Sequence, residues 1–206
     1  MRRGRYWIGF DVGQAQDYSA LSLLQKIDDR YYVTALDRLP LNMSYPEQVD
    51  LVHTRMNLRP LARATKTLCI DATGVGRPIV DLAEDKGLNP IAITITGGND
   101  ANWDNERRKA TVPKRDLANT LRIFAETDRL RALKDFKQIL VEELPYFIPK
   151  IDPRTGHDSY EARQEGRHDD LILSVAIALW VAENQEPRSK EIIFRGISSG
   201  GRHGSF

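Results

Sequence analysis

The stretch Tyr6-Trp7-Ile8-Gly9-Phe10-Asp11-Val12-Gly13 constrains this chain more than any other. Its alternation reads as a strand that buries Tyr6, Ile8, Phe10 and Val12 on one face. Gly9 and Gly13 keep the opposite face clear around Asp11. A carboxylate at the end of an apolar strand is costly to bury unless something cationic meets it. Two later stretches repeat the pattern: Leu68-Cys69-Ile70-Asp71-Ala72-Thr73-Gly74 and His168-Asp169-Asp170-Leu171 each bring an acid to the edge of an apolar element. The expectation is that these acids converge on metal ions.

The pattern around them predicts an α/β fold. After the first strand comes a polar turn holding Asp17, then strands over 19–27 and 30–39, joined at Asp28-Asp29. Three strands on short turns make an antiparallel meander. Ser44, with Pro46 and Glu47 behind it, has the signature of a capped helix start, and an apolar stripe carries that helix toward Pro60. A buried strand over 67–70 ends at Asp71, a helix follows over about 78–86 and stops at Gly87, and another strand covers 91–95. Strand, helix, strand is a parallel crossover, so the sheet is mixed. Residues 96–111 read as a long polar loop, and helices follow over about 113–127 and 134–144. Segments 146–151 and 157–162 read as a hairpin around Asp152-Pro153-Arg154-Thr155-Gly156. The last helix, about 170–183, is apolar nearly all round and must be deeply packed. The division expected is one domain over 1–186 and a flexible Gly/Ser/Arg tail over 187–206.

Composition adds little constraint. The chain has 206 residues, with 30 basic against 29 acidic and a net charge of +1, so any nucleic-acid affinity has to come from a local basic patch. The lone Cys69 lies in an apolar run, which suits core packing in a reducing compartment. The longest apolar run, 171–182, is too short to cross a bilayer, so a soluble protein with no membrane partner is expected.

Charge repulsion makes a purely structural acid cluster expensive. Two carboxylates about 4 Å apart repel by roughly 4 kcal/mol at an effective dielectric near 20. Gathered acids therefore hold protons or a divalent cation. All-oxygen ligands without zinc-type cysteine spacing favour magnesium or manganese. Two such ions about 3.5–4 Å apart suit phosphodiester hydrolysis by water. Taken singly, Asp11 fits a turn residue, Asp71 an Asx-turn, and Asp169 or Asp170 a helix cap.

Phe10-Asp11-Val12-Gly13, Ile70-Asp71-Ala72-Thr73-Gly74-Val75-Gly76, Val112-Pro113-Lys114-Arg115-Asp116-Leu117 and Arg167-His168-Asp169-Asp170-Leu171 together resemble the nuclease domain of tailed-phage terminase large subunits. That resemblance implies a ribonuclease H-like mixed sheet flanked by helices, also shared with Holliday-junction resolvases. It implies a metal-dependent endonuclease that cuts concatemeric double-stranded DNA during packaging. Asp11, Asp71 and Asp170 would be the catalytic acids, with Asp169 as a further ligand to two magnesium or manganese ions, and Asp17 and His168 in support. Adjacent acids on a helix point about 100° apart, so only one aims squarely at the metals, and Asp170 is preferred. The implied partners are an ATPase motor domain, the terminase small subunit and a portal ring, in the cytoplasm of an infected bacterium. No Gly-x-x-x-x-Gly-Lys-Ser/Thr loop is present, so translocation is not assigned to these residues.

Arg107, Arg108, Lys109, Lys114 and Arg115 read as one basic cluster for phosphate contact, with Arg154 doing the same from the hairpin. The competing readings are a non-catalytic DNA-binding or assembly module, a junction resolvase, and an actin-like or sugar-kinase nucleotide binder. The last needs two such domains, for which this length is too short.

Overall fold

The computed structural model describes residues 4–13, 17–147, 150–151, 158–159 and 169–185. In chain order the elements are β1 (Arg5–Asp11), β2 (Ala20–Ile27), β3 (Arg30–Arg38), α1 (Tyr45–Asn57), β4 (Thr65–Asp71), α2 (Gly76–Asp85), β5 (Ile91–Thr96), β6 (Asn102–Asp104), β7 (Lys109–Pro113), α3 (Lys114–Glu126), β8 (Leu130–Ala132), α4 (Lys134–Phe147), β9 (Lys150–Ile151), β10 (Asp158–Ser159) and α5 (Asp170–Gln185). Eight strands form one sheet in the order β6-β7-β5-β4-β1-β2-β3-β8. The β1-β2-β3 meander is antiparallel, as its short turns dictate, and β4, β5 and β7 add in parallel. β9 and β10 form a separate antiparallel pair, the expected hairpin in shortened form.

Two features depart from the sequence expectation. The segment read as a polar loop contains β6 and β7, in which Ala110 and Val112 are buried between exposed Lys109 and Thr111. That alternation is only five residues long and follows a polar run, so it gives a weak signal. Trp103 of β6 reaches Trp180 of α5, with ring centroids 5.6 Å apart. The second departure is β8, three residues that pair in parallel with Tyr31–Val33 and widen the sheet beyond the meander.

The sheet carries a separate core on each face. On one, Tyr6, Ile8, Phe10 and Val12 pack with Val49, Val52 and Met56 of α1 and with Ile79, Val80 and Ala83 of α2. On the other, Trp7, Leu24 and Cys69 meet α3 and nearly the whole length of α5. α1 starts where Ser44 was expected to cap it. The Glu47 carboxylate accepts from both the Ser44 N–H and its hydroxyl, at 2.9 and 2.7 Å, and those bonds hold its pKa below the ordinary glutamate value.

Gly9 does more than clear space for Asp11. A Cβ there would fall 1.9 Å from the backbone oxygen of Ser174, so α5 rests directly on β1 at this point. The helix runs antiparallel to β1: Gln185 reaches Thr67 near the start of β4, and the opposite end of α5 lies at the carboxyl edge of the sheet.

A methyl group at position 9 would press on the Ser174 backbone and the Ser22 hydroxyl. Gly9→Ala is therefore expected to cost at least about 2 kcal/mol in urea unfolding. Gly97→Ala, where an added Cβ meets nothing within 4 Å, should stay within about 0.5 kcal/mol of the parent.

Candidate metal centre at the carboxyl edge

Strand register decides which acids meet. β1 and β4 pair in parallel up to Phe10 and Ile70, and the next step of that register sets Asp11 beside Asp71. Both follow the phase of Gly9 and Cys69, so both project on the α5 face. The same row continues from Asp11 to Ala20 of β2 and Arg38 of β3. Neighbouring parallel strands lie about 4.8 Å apart, which is carboxylate-to-carboxylate range for a shared cation.

Arg38 joins this row because of a bulge. The β2–β3 register shifts between Leu23 and Leu24, so that Leu23 faces Ala35 and Leu24 faces Val33. The extra residue reverses the alternation of β3. Tyr31 and Val33 face α5, and beyond the bulge Leu36 and Arg38 do so in place of Ala35 and Asp37. Asp37 turns to the other face and pairs with Arg55 of α1 at 2.7 Å.

Asp71 is buried at the end of β4. Its Oδ1 accepts the Thr73 N–H at 2.8 Å, an Asx-turn that bends the chain into α2. Burial raises the Asp71 pKa, and the Thr73 hydrogen bonds and the Lys114 charge only partly offset it. Lys114 is the first residue of α3. Its ammonium lies 2.9 Å from Asp169 Oδ2 and 5.5 Å from the centre of the Phe147 ring. One cation therefore serves both Asp71 and Asp169.

Asp170 has a different partner. Arg38 Nε donates to its Oδ2 at 2.8 Å and a terminal guanidinium nitrogen donates to Oδ1 at 3.0 Å. The same guanidinium contacts Glu143 of α4, whose other oxygen accepts the Ile172 N–H in the first turn of α5 at 2.8 Å. The sequence reading missed Glu143 and Arg38. Glu143 had a detectable signal, since it shares a helical face with Phe136, Ile139, Leu140 and Phe147, a place where an acid is out of keeping. Burial pushes its pKa up to about 7, reinforced by the Asp170 and Asp169 charges and opposed by Ile172 N–H and Arg38.

Among the described residues no three His, Cys, Asp or Glu side chains close into a metal-holding group in this arrangement. Asp169 is engaged by Lys114 and Asp170 by Arg38. The donor set nevertheless suits magnesium or manganese: the ligands are all oxygen, and Asp71 is a buried carboxylate whose charge is only partly compensated by Thr73 and Lys114. Asp17 lies in the β1–β2 connection and lines a hollow of about 360 Å³ with Gly13, Ser19, Asn42, Ser44 and Gln48. His168 and Arg154 fall outside the described residues.

The basic residues do not form one cluster. Arg107, Arg108 and Lys109 precede or open β7, whereas Lys114 and Arg115 follow its far end. Lys109 pairs with Ala92, so it projects on the sheet face opposite the acids. Arg108 donates to the carbonyls of Asn89 and Pro90, and Arg115 donates to Asn99 O at 2.6 Å. The described part of the chain contains no helix long and apolar enough to cross a membrane.

No protein-family profile and no curated protein matches this sequence. Solved structures do. The large terminase nuclease from thermophilic phage G20c with bound magnesium superposes at a TM-score of 0.62 and 22% identity, over 87% of this chain and 82% of that one. The g2p (large terminase) nuclease domain of bacteriophage SPP1 with bound manganese gives 0.50 and 12%, over 90% and 89%. A large terminase from another thermophilic bacteriophage gives 0.60 and 13%, over 91% of this chain but only 41% of that one. At these identities the likeness establishes the fold, the ribonuclease H-like architecture of terminase nuclease domains.

Glu143 sets a pH dependence of stability. Folded, it keeps its proton to about pH 7 against an ordinary value of 4.5. The native state thus binds more protons across that interval, and stability falls as pH rises through it. At 1.36 kcal/mol per unit the loss is roughly 3 kcal/mol. Asp71 acts in the same direction. Chemical unfolding of the metal-free protein across this range should show that decline, and Glu143→Gln should flatten most of it.

Proposed function

We propose that this chain is a metal-dependent endodeoxyribonuclease that cleaves double-stranded viral DNA during packaging. The observation that carries this reading is that β1 and β4 pair in parallel up to Phe10 and Ile70, so that both strands end in an acid, Asp11 and Asp71, at the edge where α5 begins with Asp170. Ligands of open α/β sheets bind at that edge. The magnesium and manganese bound to the G20c and SPP1 nuclease domains support a divalent ion here.

Asp11 and Asp71 would hold the ions from the sheet, and Asp169 or Asp170 would complete the set from the helix. Asp169 is the readier third ligand, because both oxygens of Asp170 are bonded to Arg38. Two bound magnesium or manganese ions supply an activated water and charge stabilisation at the leaving oxygen. The chain's own residues shape the rest. Glu143 and Arg38 fix the first turn of α5, and the Asx-turn at Thr73 fixes the Asp71 rotamer. Lys114 and Arg115, at the acid edge, are the basic residues placed for phosphate contact beside the scissile bond. Arg154 is proposed for the same contact from the hairpin. Arg107, Arg108 and Lys109 would touch DNA only along the flank of the sheet. Asp17 and His168 are proposed as supporting residues.

The match to 41% of a longer phage large terminase supports a nuclease unit that works with an ATPase motor domain. The terminase small subunit, a portal ring and the cytoplasm of an infected bacterium complete the proposed setting, with residues 1–186 as the nuclease domain and 187–206 as a tail. One observation favours a second reading, a non-catalytic DNA-binding module: Asp169 and Asp170 are already neutralised by side-chain cations.

Plasmid cleavage with manganese, with magnesium and with chelator separates the two. Cleavage should require the metal, and Asp11→Asn should lower the rate at least about a hundredfold, beyond what loss of an outer-shell partner costs. DNA retention without cutting under any metal would establish the second reading instead.

A further inference from the structure

Arg38 and Lys114, which pair with Asp170 and Asp169, are held very differently. Arg38 makes two hydrogen bonds to Asp170 and a further contact to Glu143, and it lies against the Tyr18 ring at 5.7 Å. Asp170 and Glu143 are both almost wholly buried, so withdrawing Arg38 would leave the Asp170 charge without a counter-cation. A planar guanidinium with bidentate geometry is suited to a permanent role of this kind.

Lys114 offers the contrast. Its ammonium donates to Asp169 Oδ2 at 2.9 Å, and both side chains reach solvent, at 26% and 21% exposure. The ammonium is a compact charge on a flexible stem, so it can move without disturbing the backbone. Its backbone is fixed at the carboxyl edge, because α3 begins there directly after Pro113 ends β7. The adjacent Phe147 ring gives the displaced ammonium an apolar face with which a cation interacts favourably.

We infer that Lys114 is the resident counter-cation of the acidic edge, holding Asp169 toward Asp71 in the metal-free protein and giving way when a divalent ion binds. This rests on the metal-binding reading above. A divalent ion carries twice the charge and takes several carboxylate oxygens at once, whereas an ammonium offers three hydrogen bonds. The exchange has two consequences. The acids are kept gathered before metal arrives, and the affinity for metal is set below what the bare carboxylates would give. Lys114 is therefore a positioning residue that tunes metal loading, and Arg38 is a fixed wall of the site.

Lys114 also stands among the proposed phosphate contacts, so cleavage rates alone would not isolate this role. The direct measurement is calorimetric titration of Mn²⁺ into the metal-free full chain and its variants, in mildly alkaline buffer and without DNA. Lys114→Met should lower the Kd about tenfold, since the ion no longer displaces a cation or binds beside one. Lys114→Arg, which keeps the charge, should bind no more tightly than the parent. Lys114→Met should also melt earlier than the parent without metal, and saturating Mn²⁺ should close that gap. Lys114→Gln provides a second neutral variant if the Met form is poorly folded. Binding by the parent with equal or weaker affinity in both neutral variants overturns the role of Lys114 and leaves the metal site standing. An Arg variant that binds as tightly as the neutral ones overturns it too. Absence of Mn²⁺ binding in the parent removes the metal-site reading itself, and this inference with it.

Discussion

The seating of α5 on β1 is the contact on which the rest of this structure depends. It requires a position without a side chain, and Gly9 supplies one opposite the backbone oxygen of Ser174. With the helix pressed this close, its apolar residues 171–182 join α3 in the core on that face of the sheet. Its amino end is then carried to the edge where β1 and β4 finish. Hydrophobic burial along α5 provides the driving force, and the glycine sets where that force places the charged end.

That placement creates an electrostatic problem. Asp71, Asp170 and Glu143 are buried near that edge, and burial raises the pKa of Asp71 and Glu143. The fold answers with a basic residue from each side: Arg38 from the bulged end of β3 and Lys114 from the start of α3. These contacts neutralise Asp169 and Asp170 with cations from elements distant in the chain.

Much of this was legible in the chain itself. Asp11 and Asp71 stand out because an acid closing an apolar strand is chemically conspicuous, and the parallel β4 pairing follows from the helix between β4 and β5. The apolar run after Asp170 is long enough to declare a buried helix. The short strands were not legible, because three to five residues carry too little periodicity to stand out from a loop, as at β6, β7 and β8. The basic stretch 107–115 was misleading for a related reason. Neighbours in sequence separate along the length of β7, and alternate residues there leave on opposite faces of the sheet.

By itself, then, the sequence determined the sheet type, the buried last helix and the acids that mark its carboxyl edge, because each is a local pattern of apolar and charged residues. Tertiary structure alone decided which cation each acid meets. A one-residue bulge in the meander turns Arg38 rather than Asp37 toward α5, and the packing of α3 and α4 brings Lys114 and Glu143 to residues far away in the chain. Partners of that kind are fixed by distance in space, on which the order of residues along the backbone is silent.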